Sequence, residues 1–235
     1  MGAPDSQLWK QRMRVPSYRV ADVARFAEIS PRTLTYWYFP KGKDKRNVLA
    51  DRERGGQISY LQMVEAAFIA TMRRSGVSLD VIRDARNYLK TRWQAEYPFA
   101  TYRFKTDGKN LLMDFDQLDA MSGEGKLLIP NKHGQLAWSK IVDFTFDQFD
   151  YEDDLAIRWH VKGPGAIVVI DPSVAFGAPS IHGVPTTTLA DRYQGGDSVA
   201  ELADDFRLQA KDIGKALEFE GIALRDDEKA PLLAS

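Results

Sequence analysis

The sequence predicts an α+β fold, and three observations predict it. Apolar residues recur at helical spacing between residues 20 and 97. From Phe99 to Ile170 the period drops to two, in short runs separated by turn residues. Helical spacing then returns between Thr187 and Phe219. At 235 residues, with 44 % hydrophobic and 28 % charged side chains, the chain has the makeup of a globular protein and the length for one large domain or two small ones. The shifts of period divide it into 1–97, mostly helical; 98–165, mostly β; and 166–235, helical again.

Val20–Phe39, VADVARFAEISPRTLTYWYF, organises the first part. It reads as helix, tight turn, helix. Ala24 is small, as a close helix crossing requires, and Val23, Ala27, Ile29, Leu34 and Trp37 point with it into one core between crossed helices. Ser30 is a good N-cap for the second helix and Pro31 suits its first position. Arg32, Thr33, Thr35, Tyr36 and Tyr38 are left to the exposed face, where they could donate to phosphates and reach base edges in a major groove. The spacing therefore points to a DNA-binding helix-turn-helix; an ordinary two-helix corner with a solvated face shares the same spacing.

Around this motif, Met1–Ser17 is polar and basic, a disordered arm or a phosphate-contacting tail. Lys41–Arg54 holds six basic and three acidic residues between Pro40 and Gly55-Gly56, where a winged helix-turn-helix carries its wing. Lys41, Lys43, Lys45 and Arg46 could each neutralise a phosphate there, or the segment is a solvated loop. Ser59 and Gln62 have capping-box spacing and open a helix whose stripe is Leu61, Val64, Phe68 and Met72. Gly76 breaks the chain, and Leu79, Ile82, Leu89 and Trp93 make a second stripe. Arg73, Arg74, Arg83 and Arg86 are expected in solvent.

In the middle region Ala100-Tyr102-Phe104, the Asp107-Gly108 turn and Leu111-Met113-Phe115 read as a hairpin. Val142-Phe144-Phe146, Ile157-Trp159-Val161 and Ile167–Ile170 read as further strands of a small meander. The last part repeats the opening pattern. In Ser198–Phe219, Ala203 takes the place of Ala24, with Leu202, Phe206, Leu208, Ile213 and Ala216 at the matching offsets, and Ser198 and Glu201 form a capping box. A helix around Thr187–Gln194 precedes it, giving a three-helix, helix-turn-helix-like unit. Its second helix exposes Gln209, Lys211, Asp212, Lys215 and Glu218, a nearly neutral mixture, poor for DNA, that reads as a protein-contact or dimerisation surface; a second DNA reader is the alternative.

The net charge of −1 conceals a division. Residues 1–97 carry 18 Lys and Arg against 10 Asp and Glu; residues 98–235 carry 14 against 23. The basic part fits a polyanion and the acidic part a protein partner. Cysteine is absent, which excludes disulfides, thiolate zinc sites and a cysteine nucleophile. Asp150, Glu152, Asp153 and Asp154 could attract Mg²⁺ but lie between two strands, as a solvated turn would. His133, His160 and His182 match no metal-ligand spacing, Gly163-Pro164-Gly165 lacks the following Lys of a phosphate loop, and Ser173 and Ser180 lack a nucleophile elbow. No catalytic, cofactor or metal residues are expected. There is no apolar h-region at the N-terminus and no run of membrane-spanning length, so a cytoplasmic protein away from the membrane is expected.

Two resemblances add to this reading. Through YRVADVARFAEISPRTLTYW and ISYLQMVEAAFIATMRRSGVSLDVIRDARNYL, the first 97 residues resemble a MerR-like winged helix-turn-helix. Through Asp171-Pro172, Gly177, Pro179, Ile181, Gly183, Ala200-Glu201-Leu202-Ala203, Ile213 and Ala216-Leu217, residues 168–222 resemble a small family of domains of unknown function common among antitoxins. After Gly183 that family usually has Thr-Arg; here Val184-Pro185 follow, so that arginine's role is not carried over. The order of the two parts is similar to a VapB-type antitoxin. The resemblance implies binding of operator DNA, autorepression, and neutralisation of a cognate VapC-type (PIN-domain) ribonuclease toxin. A homodimer is expected, because one helix-turn-helix offers few base contacts and a two-fold pair reads half-sites about 34 Å apart. The alternative is a MerR-like transcription regulator whose β region and C-terminal unit sense a small molecule.

Overall fold

The computed structural model describes residues 5–40, 47–49, 54–101, 144–226 and 228. It has two compact units, Met1–Ile157 and Arg158–Ser235. Helices and an antiparallel sheet are both present, so the fold is α+β.

The first unit holds α1 (Asp5–Arg12), α2 (Val20–Phe26), α3 (Pro31–Tyr38), α4 (Tyr60–Arg74) and α5 (Leu79–Trp93). A 3₁₀ turn (Pro98–Ala100) and β1 (Phe149–Glu152) follow, and β2 (Leu155–His160) carries the division between the units. The expected capping box is present at α4: the Gln62 N–H donates to Ser59 Oγ at 3.3 Å, and the Ser59 N–H donates to Gln62 Oε1 at 2.9 Å. α4 is more central than its stripe implies. Each residue from Tyr60 to Ala70 is buried, on every side of the helix. Phe68 stacks on Phe99 with ring centroids 4.5 Å apart and meets Phe146 at 5.5 Å. A bridge between Tyr18 and Ile58 ties the entry to α2 to the entry to α4.

One of the residues buried in α4 is charged. Glu65 is 0 % exposed, and its Oε2 accepts from Arg86 Nε at 3.0 Å. Arg86 also donates to the Glu96 carbonyl at 2.8 Å, and the Phe99 N–H points at Glu65 Oε1 at 3.4 Å. The expectation of solvated arginines is therefore corrected at two positions: Arg83 and Arg86 are buried, Arg83 beside Asp80 and Arg86 on Glu65. Glu65 interrupts the apolar face of α4, and its charge draws Arg86 inward. Arg73 and Arg74 are exposed.

The middle region departs from the alternating pattern where it is described. Residues 144–146 are helical, with Phe146 buried and Phe144 half exposed, so the reading of Phe144 and Phe146 as strand is corrected. A spacing of two over so few residues is also compatible with a single turn of helix. Ala100 lies in the 3₁₀ turn. Tyr102, Phe104, the Asp107-Gly108 turn, Leu111–Phe115, Val142 and His133 lie outside the described residues. Of the acidic cluster, Asp150 and Glu152 lie in β1, and Asp153 and Asp154 make the β1–β2 turn, both at positive φ (47° and 66°), with Lys10 paired to Asp153.

In the second unit β3 (Val169–Ile170), a 3₁₀ turn (Ala175–Gly177), β4 (Pro179–Ile181) and β5 (Val184–Pro185) precede α6 (Thr186–Gln194), α7 (Val199–Phe206) and α8 (Ala210–Phe219). Trp159 of β2 stands opposite Ile170, Ile170 opposite Pro179, and Ser180 opposite Pro185. The three-helix unit is present as expected, around Leu189, Tyr193, Leu202, Ile213 and Leu217. Ser198 and Glu201 form the expected capping box, and the N–H and hydroxyl of Ser198 hold the Glu201 carboxyl below its ordinary range.

The Glu65 carboxyl is pushed up to about 7, chiefly by burial, with Arg86 opposing. The folded state therefore keeps a proton that the unfolded chain releases near pH 4.5, and stability falls as pH rises through that window to about 7. Thermal melts of the wild type and Glu65→Gln from pH 4.5 to 8 should diverge in one direction. The variant gains on the wild type as pH rises, by at most about 3 kcal/mol. A constant offset would show that Glu65 does not titrate there.

Candidate nucleic-acid interface

The reversal between α2 and α3 begins at a small residue. Ala24 is 1 % exposed, and its carbonyl accepts from the Ile29 N–H at 2.9 Å. Between them Glu28 takes φ +56°, the left-handed residue such a helix ending requires. The Ile29 side chain that follows is half buried. Val23, Ala24, Ala27, Leu34 and Trp37 are all buried, the core expected from the spacing. Glu28 has Arg74 at 3.8 Å, and Arg74 also donates to the Ala27 carbonyl at 2.8 Å. The carboxylate at the turn is therefore partly offset.

The start of α3 follows the sequence closely. Ser30 is the N-cap, its Oγ accepting from the Thr33 N–H at 3.0 Å, and Pro31 is the first helical residue. The caps fix where the next side chains go. Arg32, Thr35 and Tyr36 are exposed and Thr33 is half exposed. Tyr38 is 1 % exposed, which corrects its assignment to the outer face. It lies one helical turn beyond Leu34 and follows Trp37, so it belongs to the inner stripe.

The four remaining residues differ in what they can offer. The Thr35 hydroxyl donates to the Pro31 carbonyl at 2.8 Å, and the Thr33 and Ser30 hydroxyls lie 2.8 Å apart. Both threonines are committed within their own helix. Arg32 and Tyr36 have no ion pair or side-chain hydrogen bond among the described residues, so the guanidinium and the phenol are the available donors. Tyr36 is 42 % exposed, unusual for so large a side chain, and presents ring as well as hydroxyl. Arg19, the N-cap of α2, and Arg12 are exposed and equally unengaged among the described residues. Arg54 is exposed and rests over the Phe39 ring at 5.1 Å. Only the basic surplus signalled these three. Lys41, Lys43, Lys45 and Arg46 lie outside the described residues.

The other candidates do not converge. His160 Nδ1 is 3.0 Å from the Ala166 carbonyl, and His182 faces Asp212 at 3.6 Å. Among the described residues no trio of His, Asp or Glu stands together as metal ligands would, and no helix is long and apolar enough to cross a membrane.

Residues 168–219 match the family model of a protein of unknown function, DUF433. No curated protein matches the chain. The crystal structure of Rv2018 from Mycobacterium tuberculosis is similar, with a TM-score of 0.70 and 22 % identity, over 88 % of this chain and 99 % of that one. At that identity the likeness concerns the fold.

The cap at Ser30 sets the orientation of the exposed face, and its removal is measurable. Ser30→Ala leaves the Thr33 N–H unsatisfied and should cost about 1 kcal/mol in urea unfolding. Thr35→Ala, whose hydroxyl only returns to its own helix, should stay within about 0.5 kcal/mol.

Proposed function

We propose that this protein is a sequence-specific DNA-binding antitoxin of a type II toxin–antitoxin system. It represses its own operon and neutralises a PIN-domain ribonuclease. In this reading α2 and α3 are a helix-turn-helix with α3 as the reading helix, and Lys41, Lys43, Lys45 and Arg46, which lie outside the described residues, contact phosphate. One observation carries the DNA role. A helix anchored by Leu34, Trp37 and Tyr38 presents Arg32 and Tyr36 outward with their polar groups unengaged among the described residues. Arginine forks onto guanine in the major groove, and a partly exposed tyrosine adds apolar and phosphate contact. The basic surplus of residues 1–97 supports the same reading. A homodimer doubles the contacts and reads two half-sites about one helical turn apart.

The antitoxin role rests on different support. Residues 98–235 are acidic, and the stretch matching DUF433 resembles domains found in antitoxins. An acidic surface suits a ribonuclease, which must itself bind a polyanion. Both partners are cytoplasmic in this reading, and no catalytic step is assigned to this chain.

In a gel shift with DNA from upstream of its own gene, Arg32→Ala should weaken binding by about 1–3 kcal/mol and relax sequence preference. Lys43→Ala should weaken binding evenly across sequences and reduce the salt slope by about 1. If neither substitution alters the shift, the DNA role is wrong. Separately, the full chain should inhibit a nuclease encoded beside it; failure to bind that nuclease ends the antitoxin role alone.

A further inference from the structure

The turn between α2 and α3 is built a second time. Arg207 takes φ +53°, and the Leu208 N–H donates to the Ala203 carbonyl at 3.0 Å. Glu28 and Ile29 do the same onto Ala24, at φ +56° and 2.9 Å. Leu202, Ile213, Ala216 and Leu217 are buried where Val23, Leu34, Trp37 and Tyr38 are buried. α8 therefore holds the place in its unit that α3 holds in the first.

Burial of one acid tips the exposed side of α8 to basic, with Lys211 and Lys215 against Glu218. Asp212 is 5 % exposed and faces His182, so it leaves the outer surface. From residue 207 to 215 the exposed charges are Arg207, Lys211 and Lys215, and no carboxylate is exposed among them. None of the three cations has an ion pair among the described residues. Lys211 and Lys215 are one turn apart on one face, and Gly214 leaves no side chain beside Lys215. The start of α8 also has no side-chain cap, unlike α3. Asp212 lies in that first turn and offsets its partial positive charge, so the two lysines and Arg207 carry the basic character. The exposed acids nearby, Asp204 and Glu218, lie before the turn and in the last turn of the helix; Asp205 is held by Arg192 at 2.7 Å.

We propose that Arg207, Lys211 and Lys215, on the turn and first half of α8, form a second DNA contact that grips the phosphate backbone of a duplex. The proposal rests on the reading of this chain as DNA-binding. It differs in kind from the α3 contact. Lysines are point charges for phosphates, and no exposed side chain stands between Lys211 and Lys215 on α8. Arg207 and Gln209, which could fork onto a base edge, lie ahead of the helix, and Arg207 is assigned to phosphate with the lysines. This contact adds affinity and salt dependence without sequence preference.

The test uses the full chain, a duplex from upstream of the gene and a scrambled duplex of equal length. Binding is read by fluorescence anisotropy across a KCl series. The triple variant Arg207→Gln, Lys211→Gln, Lys215→Gln should lower the salt slope by about 2 to 3 on both duplexes and leave their affinity ratio unchanged. An unchanged slope overturns the proposal. Because the chain has no cysteine, a photocrosslinker can be placed on Gln209→Cys alone, with Asp191→Cys on α6 as the comparison. Crosslinking of duplex from position 209 and not 191 is expected; equal crosslinking, or none, overturns the proposal. The double variant Arg32→Ala, Tyr36→Ala separates the two readings. Loss of upstream preference with no effect of the triple variant sinks the α8 contact alone. Persistence of that preference sinks the α3 reading alone. Failure of the wild type to bind either duplex sinks both.

Discussion

A single left-handed residue decides what α3 shows to solvent. Glu28 sits at φ +56°, a conformation that costs a side-chain-bearing residue about 1–3 kcal/mol unless its surroundings hold it there. What holds it is the bond from the Ile29 N–H back to the Ala24 carbonyl and the partial burial of the Ile29 side chain. Once the chain has reversed at that angle, α3 can meet α2 only across a small residue, and Ala24 is that residue. The inner stripe of Leu34, Trp37 and Tyr38 then follows, and with it the outward direction of Arg32 and Tyr36. Changing the turn would rotate the whole face rather than one contact.

The same device at Arg207 carries a different surface, and the contrast lies at a few matched positions. Ser30 caps α3, whereas Gln209 leaves α8 uncapped. Thr33 locks to its cap, whereas Asp212 at the corresponding place is buried against His182. Thr35 and Tyr36 become Gly214 and Lys215. Four core positions correspond (Val23, Leu34, Trp37 and Tyr38 with Leu202, Ile213, Ala216 and Leu217), Ala203 and Phe206 are only partly buried where Ala24 and Ala27 are buried, and the outer faces share almost nothing. That pattern is expected when a packing solution is reused and function is carried by what is grafted on it.

Much of this architecture was legible in the sequence, for reasons that are local. Ser30, Ser59 and Ser198 announce helix starts because a hydroxyl can satisfy orphan N–H groups only there. Ala24 and Ala203 announce crossings because only a small side chain permits them. Tyr38 is an inner residue with a signal in its counterpart: Leu217 is apolar and closes the matching core. The phenol hydroxyl made an inner residue look like an outer one. At Phe144 and Phe146 two alternations are too few to separate a strand from a helical turn. The burial of Arg83 and Arg86 is hidden from spacing, because burial of a charge depends on a partner that spacing does not reveal. Of the site, the positions on α3 were legible. Which of their polar groups remain available was not, because that depends on hydroxyls turning back to Pro31 and Ser30.

The buried Glu65–Arg86 pair has a structural consequence that apolar packing alone would not supply. Leu, Met and Ala side chains along α4 offer α5 several nearly equivalent seats, since dispersion contacts are individually small and poorly directional. An ion pair in the interior does not slide. Moving α5 by one turn would leave a carboxylate and a guanidinium buried without partners, at a cost of about 3–5 kcal/mol. Arg86 also reaches the Glu96 carbonyl, and Glu65 also meets the Phe99 N–H, so one pair sets both α5 and the 3₁₀ turn that follows it. Phe99 is thereby seated against Phe68, which in turn meets Phe146. The pair adds little net stability, because burying two charges offsets most of their attraction. What the pair does show is a shared anchor: Glu65 and Arg86 together hold α4, α5 and the 3₁₀ turn to one another.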